Sequence, residues 1–114
     1  MKLTQQQHDI LLEVRRRMNA PQECASEYIC CNIDRVIAEE FDIVSVKDSV
    51  AAREKFEPFK QAMSEALNGY STMFVYLRRT VPGFYDMSIV TQDEFTHRAR
   101  LAWLDKIVET GRIE

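Results

Sequence analysis

The chain has 114 residues, 46% of them hydrophobic and 29% charged, which is the composition of a folded globular protein and excludes a disordered one. That length suffices to bury roughly two-thirds of the extended surface in one core, so a single domain over residues 1–114 is expected without disulfide or metal staples. A net charge of −3 argues against a general nucleic-acid binder. The three glycines and three prolines are too few for the turns of an all-β fold.

No stretch of roughly 18 or more apolar residues appears, so no membrane span is expected. The opening residues, Met1 to Asp9, are too polar for a signal peptide. Three cysteines, two of them adjacent, suit a reducing compartment, and a cytoplasmic location follows as the expectation.

In chain order, Thr4 and Gln7 form a capping box that opens a helix over 5–19, with Ile10, Leu11, Val14 and Met18 as its buried face. Arg15, Arg16 and Arg17 lie near its end, where they compensate the helix dipole on a solvated face. The sharper reading makes them a contact for phosphate or an acidic partner. Pro21 forces the break.

A second helix is expected from near Ser26 to about Phe41. Ile29, Ile33, Val36 and Ile37 form its core stripe, and Tyr28, Cys30, Cys31 and Phe41 lie at its margins. Neighbouring positions on a helix point about 100° apart, so Cys30 and Cys31 cannot share one metal site without distortion. Neither His8 nor His97 stands at zinc-ligand spacing from them. Each is read as a small buried hydrophobe, and no metal or cofactor is expected.

After a connector over 42–46, Ser45 and Asp48 can cap a third helical region from Val46 to about Asn68. Pro58 divides it into pieces near 46–56 and 58–68, the second burying Phe59, Met63, Ala66 and Leu67 and ending at Asn68-Gly69.

Residues 70–90 admit two readings. One is a short helix capped by Ser71, burying Phe74, Val75 and Leu77, followed by an irregular aromatic loop over Val81–Met87. The other is a small hairpin at about 72–90, turning at Pro82-Gly83. The fold expectation is therefore an all-α bundle of four to five helices, with α+β as the alternative.

The last helix is expected over Thr91–Gly111, with Thr91 and Glu94 as a capping box and Gly111 as a left-handed stop. His97, Leu101, Leu104, Ile107 and Val108 make one apolar stripe, with Phe95, Ala99 and Trp103 a second, and this helix is expected at the centre of the fold. A helix apolar over so much of its circumference is wedged between other elements or buries one stripe against a partner. The expected core is Ile10, Leu11, Val14, Ile29, Ile33, Val36, Ile37, Phe59, Met63, Leu67, Leu101, Leu104 and Val108.

Three patches carry a resemblance: Tyr28-Ile29-Cys30-Cys31-x-Ile33; Ser71 followed by Tyr76-Leu77; and Arg100-x-x-Trp103-Leu104-x-x-Ile107-Val108. They resemble a group of small uncharacterised proteins from tailed phages and prophages. Such proteins tend to have Trp-Leu in the middle patch, where this chain has Tyr-Leu. The resemblance carries over no catalytic residue. It implies a phage accessory protein, many of which bind and disable a host enzyme or defence complex.

For chemistry the chain offers no Gly-rich phosphate loop, no His-Glu-x-x-His and no nucleophile elbow. Glu39-Glu40 and Asp93-Glu94 fit solvated helix ends better than a general acid/base pair. His97 reads as a hydrogen-bonded structural histidine. The functional expectation is a non-enzymatic module that binds and modulates a host protein through Phe84, Tyr85, Met87, Phe95 and Trp103. The same aromatics could instead pack on one another inside the fold. A structural homo-oligomer is a further alternative, as is a nucleic-acid face built from Arg15, Arg16, Arg17, Arg78, Arg79, Arg98 and Arg100.

Overall fold

The computed structural model describes residues 1–19, 28–40, 46–68, 77 and 79–113. Among them are four α-helices, α1 (Gln5–Asn19), α2 (Ile29–Glu40), α3 (Val46–Asn68) and α4 (Ile89–Thr110), and one 3₁₀ turn, η1 (Phe84–Asp86). The all-α bundle is as the periodicity requires. The hairpin alternative at about 72–90 does not form among the described residues, because η1 follows Pro82-Gly83 directly and Ile89 and Val90 already belong to α4. Leu77 and the Arg79–Thr80 pair are helical. Ser71, expected as a cap, and Phe74 and Val75, expected as core, lie outside the described residues, as do Pro21, Ser26, Phe41, Ser45 and Gly69.

The start of α1 is set by its capping box. Gln7 N–H donates to Thr4 Oγ1 at 3.1 Å and Thr4 N–H donates to Gln7 Oε1 at 3.0 Å, so two end-of-helix donors are satisfied reciprocally. Ile10, Leu11, Val14 and Met18 are buried as their spacing dictates. They meet Ile29, Ile33, Val36 and Ile37 of α2 on one side and Leu101, Leu104 and Ile107 of α4 on the other, within one apolar cluster. The inner helices of the bundle are therefore α1 and α2, and the C-terminal helix packs on α1 from outside. α3 lies on α2 and inserts Phe56, Phe59 and Met63 into the same cluster. Of the expected core only Leu67 and Val108 remain partly exposed, while Phe56 and Ile113 are buried in addition.

α3 runs through Pro58 as one helix, correcting the expected division into two. The proline removes the hydrogen bond to the Glu54 carbonyl, but Pro58 and Glu54 are both exposed, on the side of the helix where solvent can reach that oxygen. On the opposite side Phe56 and Phe59 flank the proline and are buried, which holds both turns against α2.

α4 also begins earlier than its sequence suggests. Ser88, not Thr91, is the N-cap, and its Oγ accepts from Thr91 N–H at 3.2 Å. The C-terminal stop is as expected: Gly111 is left-handed, φ 68°, and its N–H reaches the Ile107 carbonyl. Beyond it the chain ends cross. Leu3 N–H donates to Gly111 O and Ile113 N–H to Met1 O, both at 2.9 Å, an antiparallel tie with Lys2 facing Arg112 that buries Ile113.

α1 and α4 are antiparallel. Leu3 lies against Gly111, His8 Nε2 donates to the Val108 carbonyl at 3.2 Å, and Arg15 pairs with Asp105 at 2.7 Å. Continued along α1, this register brings its last residue, Asn19, close to Leu101. At 1.5 Å per residue α4 is about 33 Å long and α1 only about 22 Å, so the first turns of α4 run on past the end of α1. The fold is correspondingly elongated, 49 × 31 × 22 Å.

Candidate interaction surface

The uncovered part of α4 continues the face that is buried further along. On a 100° wheel Ile89, Asp93, Val90 and His97 fall on the same side as Leu104, Ile107 and Leu101. Leu101, Leu104 and Ile107 meet α1 and are buried, whereas Ile89 is 77% exposed and Val90 68%. Tyr85, in η1 just before the helix, is 56% exposed. Ile89, Val90 and Tyr85 are the most exposed large apolar side chains among the described residues.

η1 is held over this end of α4 by one side chain. Gln92 Nε2 donates to the carbonyls of Phe84 at 3.0 Å and Met87 at 3.1 Å, with Tyr85 O at 3.4 Å. Gly83 enters the turn at φ 73°, a conformation that glycine adopts without strain. The tight turn sends adjacent aromatics opposite ways. Phe84 is 1% exposed and forms a second apolar cluster with Leu77, against which Val81, Met87, Phe95, Ala99 and Trp103 pack. Trp103 touches both clusters and joins them. Thr96 is buried with its hydroxyl donating to the Gln92 carbonyl at 2.8 Å, which satisfies the one polar group it brings inward.

The aromatic set expected to meet a partner therefore divides. Phe84 is withdrawn into the fold; Met87, Phe95 and Trp103 are half-buried in the same cluster; of the five only Tyr85 is exposed. A helix start at Thr91, which the sequence suggests, leaves out Ile89 and Val90, the first residues of α4.

Among the described residues the three arginines of α1 are engaged by carboxylates. Arg15 makes a two-pronged pair with Asp105, Arg16 with Glu13, and Arg17 bridges Glu13 at 2.9 Å and Glu39 at 2.7 Å. Arg100 lies over the Tyr28 ring at 5.1 Å. Arg79 and Arg98 are exposed, and Arg78 lies outside the described residues. Hydrogen bonds from Arg16 and Arg17 lower the Glu13 pKa from 4.5 to about 2. A carboxylate depressed in this way adds stability above its ordinary pKa and loses it as the pH falls through the folded one. Unfolding followed between pH 5 and pH 2, a window set by those two values, should show a smaller acid loss in Glu13→Gln than in wild type.

The cysteines are not the buried pair expected. Cys31 is exposed and Cys30 half-buried, because the core stripe of α2 passes through Ile29 and Ile33 and leaves both beside it. Burial raises the Cys30 thiol pKa, with Asp34 and Cys31 adding and Lys60 opposing. His97, expected on the core stripe, is half-buried on the uncovered length of α4. Among the described residues no group of His, Cys, Asp and Glu could hold a metal, and no helix is long and apolar enough to cross a membrane. A cleft of about 160 Å³ between α2 and α3 is crossed by the Lys60–Asp34 ion pair at 2.6 Å. Comparison of the chain with protein-family models, curated proteins and solved structures finds no match.

Proposed function

We propose that this protein is a non-enzymatic protein-binding module of the kind phage accessory genes encode, which binds a host protein and modulates or inhibits it. The docking surface is the uncovered start of α4 together with Tyr85. The observation that carries this reading is the exposure of Ile89 and Val90 on the very face of α4 that is core further along. An apolar helix face with a projecting aromatic is the usual anchor of a protein interface.

The test is affinity capture from a bacterial lysate with wild type and with Ile89→Ser/Val90→Ser. Both positions are exposed, and serine has a helix propensity similar to isoleucine and valine, so the variant should fold like wild type by circular dichroism. A protein retained by wild type and lost by the folded variant is the expected result. Equal retention by both would refute the surface.

A further inference from the structure

The cleft between α2 and α3 is built from one face of each helix. On α3, Ser49, Ala52, Arg53, Phe56 and Lys60 follow one another at three- and four-residue spacing, and Asp34 and Ile37 of α2 complete the lining. Phe56 and Ile37 are buried and Ala52 half-buried, so the stretch between the charged residues is apolar. The two cations differ in what holds them. Lys60 is paired with Asp34 at 2.6 Å. Arg53 is paired with no carboxylate among the described residues, although exposed Glu57 stands one turn further along the same helix. Arg53 lines the cleft instead, with Ser49 one turn before it.

We infer that the cleft binds a small monocarboxylic acid, a carboxylate carried on one compact apolar group. The planar guanidinium of Arg53 matches a carboxylate through two parallel N–H donors, and the Ser49 hydroxyl offers one more. The apolar group would lie against Ile37, Ala52 and Phe56. Volume sets its size: the cleft holds about 160 Å³, and a cavity of about 150 Å³ is enough for benzene. Charge sets the head group. Lys60 and Asp34 neutralise each other, so Arg53 supplies one unmatched positive charge, and the Asp34 carboxylate repels a dianion such as phosphate. This site does not rest on the docking surface at the start of α4, and either can fail without the other.

The inference is tested by titrating the intact, isotope-labelled protein with sodium benzoate and following its amide chemical shifts. Benzamide, the neutral isostere, and inorganic phosphate are titrated in parallel. Wild type is compared with Arg53→Gln, with Ala52→Leu, which fills the cleft, and with Lys47→Gln, which removes an exposed charge of α3 outside the lining. Glutamine and leucine are good helix formers, so all three variants should match wild type by circular dichroism. Benzoate should give saturable shifts over residues 34–37 and 49–60. Benzamide and phosphate should bind at least about tenfold more weakly. Arg53→Gln should weaken benzoate roughly tenfold, a change of about 1.4 kcal/mol. Ala52→Leu should abolish binding, and Lys47→Gln should leave it unchanged. No saturation by benzoate, or binding that survives both Arg53→Gln and Ala52→Leu, would overturn the site. Equal weakening by Lys47→Gln and Arg53→Gln would reduce it to general charge attraction and overturn it as well. Phosphate or benzamide binding as tightly as benzoate would overturn the monocarboxylate assignment.

Discussion

Leu104→Ala should cost about 2–5 kcal/mol of stability, the range for emptying a leucine site in a packed core. Leu104 is fully buried, on the α4 face that meets α1, in the cluster that also holds Ile10, Leu11, Val14, Phe59 and Met63. Those residues come from two other helices, α1 and α3, so no single side chain can relax into the vacated space. Urea unfolding should show a lower midpoint with little change in slope, because the surface exposed on unfolding is nearly unchanged. A loss below about 1 kcal/mol would mean that the stripe is not core.

Phe84→Ala and Tyr85→Ala should differ sharply although the residues are adjacent. Phe84 fills the second cluster and is almost fully buried, so its removal should cost about 3–5 kcal/mol. Tyr85 projects into solvent, and its truncation should change stability by no more than about 0.5 kcal/mol. The same pair should reverse in partner binding once the two variants are compared at equal folded fraction, with Tyr85→Ala the weaker binder. Equal destabilisation by both would show that η1 does not orient them as described.

Much of this fold is legible in the sequence because its signals are local. The Thr4–Gln7 box, the Gly111 stop and the stripes of α1 and α2 each need only a turn or two of chain to act. The errors arise where distant structure overrides a local rule. Pro58 ought to end a helix, but Phe56 and Phe59 on its inner side are held by α2. Ile89 and Val90 look like loop residues before a capping threonine, yet Ser88 caps a turn earlier. Cys31 looks buried by its chemistry and is placed outside by the phase of its helix.

The exposed start of α4 is legible only in part. A helical wheel shows that α4 is apolar over more than one face, but not which part of each face a neighbour covers. That depends on the difference in length between α1 and α4 and on the register between them, set by contacts such as His8 with Val108 and Arg15 with Asp105. Such pairs are about a hundred positions apart and leave no periodic trace. Composition marks the aromatic loop but cannot tell Phe84 inside from Tyr85 outside.

The measurement that bears most directly on the central claim is hydroxyl-radical footprinting of the free protein, read residue by residue by mass spectrometry. If the start of α4 stands uncovered, Tyr85, Ile89 and Val90 will be oxidised at the rates of exposed side chains, while Phe84 and Leu104 will be protected. Protection of Ile89 and Val90 in the free monomer, at the level of Leu104, would contradict the account.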